Sequence, residues 1–195
     1  HAISLTPDWV QAHNNLGNTC YLLGLLDQAA QHYEQALALD PDYAEAHSNL
    51  AVLLRRRGDH AAAAASAQQA IDLDPAMTDA YLNLADAEFH GDRPQAALAA
   101  LDALHAFAPD YPPGLVARAK TLLRLAQPDA ALTCARQAVS LAPQYARAHL
   151  TLGDVLAALG DTQDARAAAT TALALPGLTA EETQAARALQ TRSAQ

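Results

Sequence analysis

Small, apolar and turn residues return along this chain at one fixed spacing of 34. Counted from Pro7, Pro41, Pro75, Pro109 and Pro143, the residue ten places on is Gly17, Ala51, Ala85, Ala119 or Gly153, and the residue twenty-two on is Ala29, Ala63, Ala97, Ala131 or Ala165. Nine places on stand Leu16, Leu50, Leu84 and Leu152, with Arg118 the exception. Near the middle of each unit Gly24, Gly58 and Gly160 fall in phase, Gly91 falls one residue early, and Ala126 replaces the glycine. Side chains this small at fixed places let two helices cross closely, and the glycines can supply the turn between them. The pattern predicts helix, turn, helix, closed by proline and repeated into one stacked array.

The periodicity places helices at about 8–23 and 27–39, 42–57 and 60–73, 77–90 and 94–107, 112–126 and 128–141, and 145–159 and 162–175. The repeats divide the chain at 8–41, 42–75, 76–109, 110–143 and 144–176, within a single domain spanning 1–195. The opening HAISLTP matches QALALDP and QAIDLDP, so residues 1–7 read as the tail of a preceding repeat and 1–5 as a helix remnant. Residues 177–195 read as a closing helix that Thr179 caps and Glu182 reaches back to support. Its Glu181, Glu182, Gln184, Arg187 and Gln190 are expected to face water, as the end of a stack requires. Two irregularities are expected. The early Gly91 should distort the third turn, and Arg118, Ala126 and the pair Pro112-Pro113 should make the fourth repeat the loosest.

Composition narrows the partners. The chain is 51% hydrophobic but only 5% aromatic, so its core is Ala and Leu. A net charge of −9 argues against nucleic acid, which needs a basic face to displace counterions. The one basic run, Arg55-Arg56-Arg57, suits the negative end of a helix dipole or a local dock for an acidic segment. No apolar run approaches the ~20 residues of a membrane span. Cys20 and Cys134 lie several repeats apart, whereas a disulfide needs Cα atoms within ~7 Å, so they should be free thiols. That favours a reducing compartment, and a cytoplasmic location is the expectation.

These proline, glycine, leucine and small-residue positions resemble the tetratricopeptide repeat over roughly residues 7–176. The resemblance implies an all-α, right-handed superhelix, an α-solenoid, with the first helices lining its concave side. Eight places after each proline stand Asn15, Asn49, Asn83, Ala117 and Thr151. An amide donates and accepts at once, matching a peptide backbone whatever its side chains. Helices ~8 to 10 Å apart and an extended chain advancing ~3.3 Å per residue would allow one rung per about three guest residues. The same asparagines could instead satisfy neighbouring backbone groups, and both readings stand. With DAYLNLA at 79–85 and AHNNLGN at 12–18, the arrangement looks like the superhelical arm of protein O-linked N-acetylglucosamine transferases, an arm style that also occurs on other bacterial proteins. There an asparagine ladder holds the substrate polypeptide. Asn15, Asn49 and Asn83 carry that role over, and Ala117 and Thr151 end it.

Seven places after each proline stand Asn14, Ser48, Leu82, Val116 and Leu150, and eleven after stand Asn18, Val52, Asp86, Lys120 and Asp154. The first series turns from polar to apolar, which suggests an amide-rich N-terminal half and a greasy strip from Leu82 onward, open to an aliphatic anchor or covered by the last helix or a neighbouring molecule. The candidate peptide-binding residues are therefore Asn14, Asn15, Asn18, Asn49, Val52, Leu82, Asn83, Asp86, Val116, Lys120 and Leu150. The carboxylate clamp of chaperone-binding family members matches Asn18 and Asn49, but its basic places hold Asn14, Asp79 and Asn83, so that ligand is not expected.

No catalytic set, phosphate loop or H-E-x-x-H motif is present. His13, His47 and His149 share one offset but belong to separate repeats, too far apart for one zinc ion. Neither metal nor cofactor is expected. The function that follows is a scaffold binding a peptide or protein segment in the concave groove, without chemistry. The alternatives are a substrate-recruiting arm of a larger enzyme and self-assembly through the open N-terminal end.

Overall fold

In the computed structural model, residues 6–191 are described, with side chains from residue 9, so the helix remnant expected at 1–5 lies outside the described residues. The helices are α1 (Thr6–Leu22), α2 (Leu26–Leu39), α3 (Ala44–Arg56), α4 (His60–Leu73), α5 (Thr78–His90), α6 (Pro94–Phe107), α7 (Pro112–Arg124), α8 (Pro128–Leu141), α9 (Ala146–Ala158), α10 (Thr162–Ala174) and α11 (Ala180–Thr191). Among the described residues there is no strand. The fold is an all-α solenoid of tandem helix-turn-helix pairs, as the 34-residue spacing requires.

The chain forms two compact units, His1–Ala100 and Leu101–Gln195. In the first unit α1 packs on α2 and α3 on α4, while α1, α3 and α5 also contact one another in sequence. In the second, α7 pairs with α8, α9 with α10, and α11 packs on both α10 and α9. The alanines twenty-two places after each proline are at most 2% exposed, which is the close crossing their size permits.

All five turns share one helix ending. The residue opening the next segment donates back five places: Leu25 to Cys20 O, Asp59 to Leu54 O, Arg93 to Glu88 O, Gln127 to Leu122 O and Asp161 to Leu156 O, each at 2.9 to 3.0 Å. The residue before it is left-handed each time: Gly24, Gly58, Asp92, Ala126 and Gly160. These are spaced by 34 throughout, so the third turn is not distorted. The phase of the helix end fixes the left-handed place, and Asp92 takes it with φ 60° although Gly91 stands next door. Aspartate tolerates that region through local hydrogen bonding, but alanine does not. Ala126, at φ 56°, is therefore strained. Ala126→Gly is expected to raise stability by about 1 kcal/mol, read as a higher urea midpoint at unchanged m-value.

The fourth pair is not loose in its first helix. α7 buries Gly114, Leu115, Val116, Ala119, Thr121 and Leu122, more than α3 buries. Arg118 keeps its charge satisfied by reaching Asp102 at 2.8 Å. At the C-terminal end, the Thr179 hydroxyl accepts from the Glu182 N–H at 3.2 Å and the Glu182 carboxylate accepts from the Thr179 N–H at 2.8 Å, the reciprocal cap expected there. Glu182 does not face water as expected. It is half-buried and paired with Arg147 at 2.8 Å, and these donors hold its carboxyl below the usual range despite burial.

Candidate functional site

In the first unit, residues three and four apart on a helix share a face, so Asn15 and Asn18 on α1, Asn49 and Val52 on α3, and Asn83 and Asp86 on α5 form adjacent rows. The asparagines are tied to the fold as well as to the surface. The Asn49 amide donates to Asn14 Oδ1 at 2.9 Å, and the Asn83 amide donates to Ser48 Oγ at 2.9 Å and Ser48 O at 3.3 Å. Each rung thus reaches back to the residue seven places after the preceding proline. Asn14 and Ser48 are 5% and 6% exposed, and buried polar groups of this kind need such partners. The Asn49 amide uses one of its two N–H groups inside the protein and the Asn83 amide is turned toward Ser48, which leaves Oδ1 of both, and the second N–H of Asn49, as the atoms that can meet a guest. Asn15 is exposed.

Asn18 Oδ1 accepts from the Tyr33 hydroxyl at 2.7 Å. Tyr33 is 1% exposed, and burial, with smaller contributions from Tyr21 and Cys20, pushes its pKa up to about 12. Asp86 is exposed and paired with Arg55 at 3.2 Å, while Val52 and Leu82 are half-buried.

A residue absent from the sequence-derived set belongs here. Leu22 is 82% exposed, seven places after Asn15 and four after Asn18, so it lies on their face of α1. The signal was available as a break in a series: the same place in later repeats holds Arg56, His90, Arg124 and Ala158. The arginine run itself stitches helix pairs together. Arg55 reaches Asp86, Arg56 donates to Tyr21 O at 3.3 Å with its guanidinium 5.0 Å above the Tyr21 ring, and Arg57 donates to Leu26 O at 3.0 Å and to the Asp27 carboxylate.

The second unit departs from the expected greasy strip. Val116 and Leu150 are 5% and 3% exposed, so both are core residues rather than an open surface. Leu150 packs with Ala172 and Ala186, flanked by Leu173, Leu178 and Leu189, which means that α10 and α11 cover it. Thr151, at the rung position, is fully buried and its hydroxyl has no partner, because the residue that would accept is Val116. Nearby Asp154 carries a carboxyl pushed above its ordinary range by burial, with Lys120 opposing the shift.

The recurring histidines have a structural role. His47 Nε2 lies 2.9 Å from Pro41 O, His149 Nε2 lies 2.9 Å from Pro143 O, and the Tyr81 hydroxyl donates to Pro75 O at 3.2 Å. At these three positions the ring clips the first helix to its own proline, whereas His13, at the same offset, lies 3.3 Å from His32 between the ring nitrogens. Among the described residues no three His, Cys, Asp or Glu side chains gather around a metal-sized site, and no helix is long and apolar enough to cross a membrane. Cys20 and Cys134 are free thiols.

The sequence matches a family model described as a TPR repeat over residues 17–56, and one described as a tetratricopeptide repeat over residues 48–112 and 116–179, more than half of the chain. No curated protein matches it. Among solved structures it is similar to TTC0263, a thermophilic TPR protein of Thermus thermophilus, with 22% identity, 92% of this chain and 98% of that one covered, and a TM-score of 0.78. It is similar to PilF of Pseudomonas aeruginosa, with 19% identity, coverage of 94% and 84%, and a TM-score of 0.79. It is also similar to YrrB, described as a TPR protein with an unusual peptide-binding site, with 18% identity, coverage of 90% and 88%, and a TM-score of 0.63. At these identities the likeness carries the fold.

Proposed function

The chain belongs to the tetratricopeptide repeat family, and on that premise we propose that it binds an extended segment of another protein along the α1, α3 and α5 face of its first unit, with no chemistry of its own. The observation that carries the reading is the pairing of exposed Asn15 with Leu22, 82% exposed, on one face of α1. Water-facing leucine beside an amide offers a peptide both an aliphatic contact and a backbone partner. Oδ1 of Asn49 and of Asn83 would accept N–H groups further along the guest, and half-buried Val52 would take a side chain between them. YrrB, described as a TPR protein with an unusual peptide-binding site, supports peptide binding as a use of this fold, without bearing on the face. The same face would serve a recruiting arm of a larger enzyme in the same way.

Because Asn49 and Asn83 also hold the fold, the clean test alters the two exposed residues. Peptides selected on the full chain from a displayed library are titrated by fluorescence anisotropy against wild type and Asn15→Ala/Leu22→Ser. The double variant is expected to bind about tenfold or more weakly, which is ~1.4 kcal/mol, with its circular dichroism unchanged. Unaltered affinity in every selected peptide would remove this face as the binding site.

A further inference from the structure

The negative charge of this chain is not spread evenly along it. The first unit, His1–Ala100, holds 13 Asp and Glu against 4 Arg, a formal −9 with histidine neutral, whereas the second, Leu101–Gln195, holds 8 acids against 8 Lys and Arg. All the net charge therefore lies in the unit that carries the α1, α3 and α5 face. The four arginines of that unit are engaged within it: Arg55 with Asp86, Arg57 with Asp27, Arg93 with Glu88, and Arg56 over the Tyr21 ring.

Part of the excess stands on the face itself. Residues four, eight, eleven and fifteen places after a repeat proline fall within about 60° of one another around their helix, at 3.6 residues per turn. This puts Glu45 one turn before Asn49 on α3 and Asp79 one turn before Asn83 on α5, and both acids are exposed. Asp86 follows Asn83 with its side chain 51% exposed, despite Arg55 at 3.2 Å. Among the described residues no cation pairs with Glu45. Its helix α3 contacts α1 on one side and α5 on the other, so its exposure does not depend on where the array begins. The same offsets in the second unit carry the opposite sign, with Lys120, Arg124 and Arg147 against Asp154.

We propose that the extended segment bound on this face is a basic one, with a lysine or arginine seated against Glu45 while an aliphatic side chain lies on Leu22 or Val52. The inference rests on the reading of this face as a peptide site and adds the sign of the guest. The amide rungs are neutral and accept any backbone, so they cannot select. Glu45 can, because it lies only about 6 Å along α3 from Asn49, within reach of a long cationic side chain on a guest that meets that rung. An acidic segment would be repelled by the same row and by the charge of the whole unit. Glu45 and Asp79 also stand in the first turns of their helices, where an acid suits the dipole. That role acts on stability and not on affinity, which lets experiment separate the two.

The test uses the peptides selected on the full chain from the displayed library, titrated by fluorescence anisotropy. The selected sequences are expected to be enriched in Lys and Arg over the library. Raising sodium chloride from about 0.1 to about 1 M, which shortens the screening length from about 10 to about 3 Å, is expected to weaken wild-type binding severalfold. Glu45→Gln is expected to weaken it about threefold and Glu45→Lys about tenfold, with circular dichroism unchanged. Glu34→Lys makes the same change in charge at an exposed position of α2 and is expected to hold affinity within about twofold. Binders without Lys or Arg enrichment, affinity indifferent to salt and to Glu45→Lys, a Glu45→Gln variant that moves only the urea midpoint, or equal losses in Glu45→Lys and Glu34→Lys would each overturn the proposal. If Asn15→Ala/Leu22→Ser still weakens those peptides, the face remains a peptide site without this selectivity. Basic peptides weakened by Glu45→Lys but not by Asn15→Ala/Leu22→Ser would instead keep the charge selection and remove the Asn15 and Leu22 contact. A library that yields no binder overturns both.

Discussion

Gly17→Ala is expected to destabilise the protein by about 3 kcal/mol, the upper end of what overpacking a core costs. A Cβ at Gly17 would lie 2.5 Å from Tyr33 Cε1 and 2.6 Å from Cδ1. Real Cβ atoms do not approach that closely, so one group must move, and the ring has nowhere to go. It is walled in by Ala29, Ala30 and Leu53, and its hydroxyl is fixed on Asn18 at 2.7 Å. The equivalent Gly153 would meet Ala165 O at 3.2 Å and Leu189 Cδ1 at 3.4 Å, so Gly153→Ala should cost distinctly less. The difference comes from the residue twenty-six places after the proline, Tyr33 in the first repeat but Ala67, Ala135 and Ala169 in others. Where that residue is alanine, Ala51 or Ala119 fits opposite it. A double-mutant cycle on Gly17→Ala and Tyr33→Ala by urea denaturation should therefore be non-additive, with the alanine at 17 costing little once the ring is gone. Additive effects, or an unchanged midpoint in Gly17→Ala, would show that the two residues do not share this space.

Period, helix pairing and end caps are legible in the sequence because each follows from local chemistry at a fixed offset. Proline and glycine mark helix ends, alanine marks the crossing, and Thr179 with Glu182 marks a start. The third turn is not legible in the same way, because Gly91 looks like the marker, whereas the left-handed place is set by the length of the helix before it and passes to Asp92. The inner face is legible in direction but not in depth. Asn14, Ser48, Val116 and Leu150 share one offset and all are buried, because that offset points between neighbouring helices rather than out of them. Polar residues there are met by a rung asparagine, as Asn14 is by Asn49, and apolar ones become core. The sequence shows the two series running in step one repeat apart, since polar Asn14 and Ser48 are followed 35 places on by Asn49 and Asn83, and apolar Leu82 and Val116 by Ala117 and Thr151. Neighbour geometry is what turns that correlation into burial, and only coordinates supply it.

Leu150→Ala separates a core role from a guest contact most sharply, and a loss of about 2 to 5 kcal/mol is expected, the range for emptying a buried leucine site. Leu150 is 3% exposed among Ala172, Ala186, Leu173, Leu178 and Leu189. Three of those neighbours, Leu178, Ala186 and Leu189, belong to the closing segment, whose polar ties include the Arg147 pair with Glu182 and the Gln190 amide donating to Thr170 at 3.0 Å. Both polar ties involve half-exposed or exposed groups and contribute little alone, so the apolar cluster supplies most of the attachment. The loss should therefore concentrate there. Amide hydrogen exchange over Ala180–Thr191 should accelerate well before exchange in α7, as a local opening would. A groove contact would behave in the opposite way, with stability held and peptide affinity reduced. If Leu150→Ala leaves the denaturation midpoint and the exchange of α11 unchanged while weakening a selected peptide, then the last helix does not cover this leucine in solution, and Leu150 itself meets the guest.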